Sequence, residues 1–169
     1  KELANETIIG GVVPHAAYQF SGPQAVHFFE VLRLSGFQPD TCVIMHPNHR
    51  GGRGPLQVAP EDYWDVPGHT FPVDAALRSA LDIGKEATPG EHSAEVMLPM
   101  LAHFLQREVP ILPIAFAEQN YAVAAGLSGA LQKAARSLGK KLLLIASSDF
   151  SHFLPPKEGA GLDNYALDD

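Results

Sequence analysis

The sequence predicts an α/β fold, a mostly parallel sheet with helices on both faces. Three observations carry that reading. Short β-branched or leucine-rich runs alternate with longer segments of helical spacing. Each short run is apolar throughout instead of at every second residue, as strands buried on both faces are. No repeat or low-complexity segment interrupts the alternation. With 169 residues, 46% apolar and 18% charged, the chain has the size of one compact domain and too few charges for disorder, so residues 1–169 are read as a single domain.

The elements follow in order. TIIGGVV, residues 7–13, is the first strand and stops at Pro14. Residues 24–34 have helical spacing, with Val26, Phe28, Phe29 and Leu32 on the apolar face and Ser35-Gly36 as the stop signal. TCVIM, residues 41–45, is the second strand. A glycine-rich loop, 50–55, precedes a weakly patterned segment through Asp65 in which short edge strands are expected, and 73–81 reads as a helix. Residues 93–106 form an amphipathic helix with Val96, Met97, Met100, Leu101, Phe104 and Leu105 inward, kinked or broken by Pro99. VPILPIAF (109–116) is the third strand, 121–138 an alanine-rich helix, and KLLLIAS (141–147) the fourth strand. The chain then enters a new helix that runs to its last residue, so a longer protein is expected.

Charge and composition exclude several classes of partner. Twelve Lys and Arg against nineteen Asp and Glu give a net charge of −7, and the cations are scattered, so neither nucleic acid nor an anionic membrane surface is expected as partner. No apolar run reaches the roughly 18 to 20 residues of a membrane span, and the start lacks a signal-peptide pattern. The single cysteine, Cys42, excludes an internal disulfide and any multi-cysteine metal site and agrees with a reducing, cytoplasmic location.

In open α/β sheets ligands bind beyond the carboxyl ends of the strands. There the sequence places Pro14-His15-Ala16-Ala17-Tyr18, then His46-Pro47-Asn48-His49, then Ser147-Ser148-Asp149-Phe150-Ser151-His152, with Gly90-Glu91-His92-Ser93 leading towards the third strand. Five of the eight histidines thus fall at candidate positions; His27, His69 and His103 read as solvated or packing residues. Imidazoles from separate strands with Asp149 and Glu91 nearby make a first-row transition-metal donor set. Two His and one carboxylate suit Fe(II), and a third His suits Zn(II). Asp149 has a second reading as a cap or turn residue. Ser147 and Ser148 read as turn formers, since no G-x-S-x-G elbow surrounds them, and Gly51, Gly52 and Gly54 form no phosphate loop. Tyr18 and Tyr63 are either pocket-lining or packing residues.

Taken in order, Pro14-His15-Ala16-Ala17-Tyr18 with Ser21-Gly22, His46-Pro47-Asn48-His49, Glu91-His92-Ser93 with Glu95 and Leu98-Pro99, and Ser147 to His152 resemble the Memo family, which includes protein B of the AmmeMemoRadiSam system. The likeness runs from Ile9 to about His152. It implies a fold like the catalytic subunits of class III extradiol dioxygenases, which use non-haem iron. By that resemblance His15 and His49 are metal ligands, His92 is a third pocket histidine in the place of the dioxygenase acid/base, and Ser151 stands where eukaryotic members carry a ligating cysteine. Serine is a poor neutral ligand, so His92, Asp149 or His152 would complete the shell, or the metal would be held weakly. Ala17 and His46 stand where the family usually has glycine. The resemblance also implies a further C-terminal sheet segment and a Cys-Gly motif outside these residues.

The functional expectation is a metal-dependent oxidoreductase of dioxygenase type, with His15, His49, His92 and Ser151 as metal residues and His92, Asp149 and Glu91 as catalytic ones. Glu91 or Glu95 would orient the ring of His92. The metal is a divalent transition ion, Fe(II) first, with Zn or Cu as alternatives, and the partner is a small-molecule substrate or a peptide ligand. Two alternatives stay open: a metal-dependent hydrolase, and a non-catalytic binding or scaffold protein that reuses the pocket.

Overall fold

The computed structural model describes residues 8–86 and 88–168. A five-stranded sheet has the order β1-β7-β2-β6-β3, made of β1 (Gly10–Val13), β7 (Leu142–Ser147), β2 (Thr41–Pro47), β6 (Ile111–Phe116) and β3 (Leu56–Val58). The first four are parallel, and β3 is an antiparallel edge strand on β6. A separate hairpin pairs β4 (Tyr63–Val66) with β5 (His69–Pro72) around Pro67-Gly68, where Gly68 has φ 80°. The expected edge strands therefore exist, and one of them extends the predicted four-stranded sheet to five. The first strand is shorter than its apolar run: Ile8 and Ile9 are outside it, and the expected start at Thr7 lies outside the described residues.

Register sorts the strand residues onto two faces. Gly11 pairs with Ile145, and Ile145 with Ile44, which puts these three on one face; Leu144 and Met45 point to the other. The first face is covered by α1 (Tyr18–Ser35) and α3 (Leu98–Leu105), which bury Phe29, Leu32, Leu98 and Leu101. The second is covered by α4 (Tyr121–Leu138), whose Leu131 and Ala135 line a cleft with Met45, Leu142 and Leu144. Asn120 caps α4 by accepting the Val123 N–H at 3.0 Å, and Gly139 ends it at φ 64°. The short α2 (Ala75–Ala80) starts at Asp74, whose carboxylate accepts the Leu77 N–H and also takes Thr41 Oγ1 and Lys140 Nζ. That one buried side chain ties β2, α2 and the α4–β7 turn together at the amino edge of the sheet. Beyond β7, α5 spans Pro156–Asp168.

Two prolines explain where helix boundaries depart from expectation. Helix α1 begins at Tyr18, six residues before the predicted Gln24, and runs through Pro23. Pro23 is exposed, so its ring meets solvent instead of the sheet, and the first turn is closed by the Phe20 and Ser21 N–H groups donating to Ala17 O at 2.8 and 3.2 Å. In the predicted 93–106 helix, a 3-10 turn at Glu95–Met97 gives way to α3 at Leu98. Pro99 lies in the first turn of α3, where its missing N–H leaves no bond unmade.

The glycines of β1 exist for close approach. A Cβ on Gly10 would come within 2.1 Å of Leu144 O, and one on Gly11 within 2.5 Å of the Phe28 ring. Gly126, inside α4, has nothing within 4 Å of that position. Gly10→Ala is therefore expected to destabilise the protein by about 1–3 kcal/mol. Gly126→Ala is expected to stabilise it by about 0.5–1 kcal/mol through helix propensity. Urea unfolding of the two variants beside the wild type measures both.

Candidate metal centre

The site is assembled by the parallel register. His15 lies two residues beyond β1, His49 two beyond β2 and Asp149 two beyond β7, all at the carboxyl rim; His92 arrives from the loop before the 3-10 turn. The ring centroids of His15 and His49 are 5.4 Å apart, those of His15 and His92 5.9 Å, and those of His49 and His92 5.5 Å. Imidazoles sharing one ion at nitrogen–metal distances of about 2.1 Å and a tetrahedral angle have centroids about 5.3 Å apart, so this triangle has the size of a shared site. A stricter criterion selects a different trio. Among the described residues, His49, Glu91 and His92 form the set of potential ligands whose donor atoms all lie within 4.8 Å of one another.

Hydrogen bonds decide which donor atoms are free. Ser147 Oγ donates to Ser93 O at 2.7 Å, so its contact with His15 Nδ1, also 2.7 Å, requires the ring to donate. His15 then presents Nε2 as its lone pair. The Nδ1 of His49 lies 3.0 and 3.1 Å from the two Glu91 oxygens and donates to them, which leaves its Nε2 free in the same way. Glu91 also accepts the backbone N–H groups of His49, His92 and Ser93 and the hydroxyl of Ser93. Its side chain is 1% exposed and its oxygens hold these donors in place.

The expectation that Glu91 or Glu95 orients His92 is corrected here. Glu91 Oε1 is 3.8 Å from His92 Nδ1, beyond hydrogen-bond distance, and the ring it holds is that of His49. The His92 ring is 57% exposed and stacks on the His49 ring at 5.5 Å. Asp149 holds a turn, the second reading given for it. Its Oδ1 accepts the N–H groups of His15 and Ala16 at 2.6 and 3.0 Å. Its Oδ2 is buried without a hydrogen-bond partner, 3.8 Å from His15 Nε2 and 3.1 Å from His152 Nδ1. Ser151 lines a cleft with Asp149 and His152. Its N–H donates to Asp163 in α5, and its Oγ lies where a Cβ on Gly159 would approach to 2.7 Å, so the hydroxyl faces that helix.

The remaining histidines separate cleanly. His46 is buried on the site side of the sheet, with Nδ1 2.9 Å from Ser93 Oγ. His27 and His103 are exposed, and His69 packs on Phe71 at 4.3 Å, all as packing or solvated residues. Tyr18 donates its hydroxyl to Val96 O at 2.9 Å, which ties α1 to the 3-10 turn, and Tyr63 is exposed on the hairpin. Burial raises the Cys42 thiol, so it is an inert core residue. The residues that sequence reasoning missed are Ser147 and Ser93. One signal was available for the first. Leu143, Ile145 and Ser147 share a face of β7, so a lone polar residue ends a buried apolar row where the site begins.

Electrostatics follows from burial and bonding. Burial alone would raise the Glu91 carboxyl, but the hydrogen bonds from Ser93 and His49 outweigh it and hold the group down at about 2. Desolvation lowers His15 against the opposing charge of Asp149, and it pushes His46 down to about 4. Both rings are therefore neutral at pH 7, the form that hydrogen-bonds as described and binds metal.

An α/β protein that collects histidines and a carboxylate from several strand ends at one rim has the architecture of a metal or substrate centre built on a parallel sheet. The chain belongs to the Memo-like protein family, whose profile matches residues 2–168. It is 36% identical to a MEMO1 family protein of Methanococcoides burtonii over 99% of this chain and 63% of that protein. It is 35% identical to one of Desulfurococcus amylolyticus over 95% and 59%, and 37% identical to one of Thermococcus onnurineus over 88% and 54%. The chain thus spans about three-fifths of the length of these relatives. Among solved structures, an uncharacterized protein from Escherichia coli K12 aligns with a TM-score of 0.49 and 17% identity over 76% of this chain and 54% of that one. No helix among the described residues is long and apolar enough to cross a membrane.

The depressed values of Glu91 and His46 have one sign. Glu91 ordinarily titrates at 4.5 and here at about 2, so its ionised form stabilises the fold above pH 4.5, and that contribution is lost as pH falls towards 2. Neutral His46, ordinarily at 6.5 and here at about 4, contributes above pH 6.5 and loses its contribution between 6.5 and 4. Urea unfolding of metal-free protein should show two overlapping acid losses, each at most on the order of 3 kcal/mol. His46→Asn should remove the upper window and leave the lower.

Proposed function

We propose that this chain carries a divalent transition-metal centre and belongs to a metal-dependent oxidoreductase of dioxygenase type acting on a small-molecule substrate. One observation carries the reading: the free Nε2 atoms of His15 and His49 face the same rim as a buried Asp149 Oδ2 that has no hydrogen-bond partner. That oxygen has His152 Nδ1 3.1 Å away but outside hydrogen-bond geometry, so a metal ion beside it would supply the pairing it lacks. The donors therefore fit a metal. His15 and His49 would hold it, with Asp149 or His92 as third ligand; two His and a carboxylate favour Fe(II), and a third His favours Zn or Cu. When bound, the ion would supply Lewis acidity and, as iron, redox capacity.

The chain's own residues supply the rest. Glu91 stays ionised and keeps His49 turned outward, while Asp149 fixes the backbone at His15. His92 is 57% exposed, which suits a group that takes a proton from substrate and returns it. A cleft of about 470 Å³, lined among others by Asp149, Ser151 and His152 and by Pro14, Phe20 and Phe153, offers an apolar wall for the substrate. A second reading, non-catalytic binding of a small ligand or peptide, is favoured by the exposure of Phe20 at 70% and Phe153 at 96% on this rim.

Protein purified without a nickel column and analysed for metals should contain close to one equivalent of Fe, Zn or Cu, or take it up on addition. His15→Ala and His49→Ala should each abolish retention with the far-ultraviolet circular dichroism unchanged. Asp149→Asn should weaken affinity about 10- to 100-fold. Wild-type protein that neither contains nor takes up metal overturns the metal centre. Metal binding without turnover on any catecholic or related substrate favours the binding reading.

A further inference from the structure

Ser93 is 0% exposed and makes more polar contacts at the rim than its size suggests. Its Oγ lies 2.7 Å from Glu91 Oε1, 2.9 Å from His46 Nδ1 and 3.0 Å from Pro47 O. Its N–H donates to Glu91 Oε1 at 3.0 Å, and its carbonyl accepts the Ser147 hydroxyl at 2.7 Å. A hydroxyl has one proton, and the ionised carboxylate at the shortest distance takes it. The Oγ lone pairs then accept from His46 Nδ1–H, which also lies 3.1 Å from Pro47 O. Donors therefore run one way, from His46 to Ser93 to Glu91, and Glu91 in turn receives His49 Nδ1–H. On the other side the Ser93 carbonyl claims the Ser147 proton, so Ser147 can only accept from His15. His46 is 3% exposed, so solvation does not account for a polar ring there.

We propose that Ser93 and the buried His46 are positioning residues. A directed relay, His46–Ser93–Glu91, holds His49 with its Nε2 turned to the rim, while the Ser93 carbonyl, through Ser147, sets His15 in the same sense. The usefulness of that orientation rests on the metal reading above, but the relay itself is a property of the metal-free chain. Each ring would otherwise sample both tautomers and several rotamers, and partners of this kind are typically worth about 10- to 100-fold in metal affinity.

The test uses nitrogen-15 spectra of the histidine rings in metal-free protein, together with Zn(II) affinity by chelator competition. Three variants are compared with the wild type: Ser93→Ala, His46→Leu, which fills the space without a donor, and His46→Asn, which keeps an N–H donor near the place of Nδ1. The wild type and His46→Asn should show His49 as a single Nδ1–H tautomer with a solvent-protected proton. Ser93→Ala and His46→Leu should lose that protection and bind Zn(II) about 10-fold more weakly, and His46→Asn should stay within about 2-fold of the wild type. If Ser93→Ala does not fold, the His46 pair decides. Matching His46→Leu and His46→Asn in both measurements overturns the relay. Loss of His49 protection in a protein whose wild type binds no Zn(II) supports the relay and overturns the metal reading alone.

Discussion

A carboxylate buried to 1% exposure would be too costly to keep charged on its own, and Glu91 is charged because donors converge on it from the backbone of residues 49, 92 and 93, from Ser93 Oγ and from the His49 ring. The loop before the 3-10 turn is wrapped around those two oxygens, and the segment after β2 is pinned to them from the other side. Remove the charge and three backbone donors and one imidazole lose their common acceptor at once. The rim is therefore an interlocked unit, and the geometry of His49, the entry of His92 and the placement of Ser93 all follow from one ion.

The sheet determines what that ion can organise. Parallel strands end together, so residues two positions past β1, β2 and β7 are neighbours despite their distance in sequence, and Asp149 closes the circle by accepting the N–H of His15 at 2.6 Å. An antiparallel arrangement would have sent alternate loops to the opposite edge. The apolar faces packed under α1, α3 and α4 make this register stiff, and a stiff register is what allows small polar side chains to hold imidazoles to fixed directions.

Much of this was legible in the amino-acid sequence, for reasons that can be named. Uniformly apolar runs such as TCVIM and KLLLIAS announce strands covered on both sides, and histidines just past such runs announce the rim. The start of α1 was obscured because Ser21-Gly22-Pro23 reads as a turn, although the helix runs through it with Pro23 exposed. The antiparallel β3 is three residues long and carries too little pattern to assign. At the site, positions were legible but pairings were not. Nothing local in Gly90-Glu91-His92-Ser93 says that Glu91 serves a ring at position 49 instead of its own neighbour, since that pairing exists only after the β2 and 3-10 loops meet. Ser151 is a motif position whose contacts with Gly159 and Asp163 in α5 were equally invisible, because α5 meets it only in the folded chain.

Strand order has a temporal side as well. In the sheet β1 is hydrogen-bonded only to β7, and β7 lies between β1 and β2. A nascent chain leaving the ribosome therefore makes its first strand long before the neighbour that will receive it. Insertion of β7 is the event that admits β1, delivers Asp149 to the His15 backbone and sets Ser147 beneath the His15 ring. Until β7 is in place the His15 turn lacks both the carboxylate and the hydroxyl that hold it.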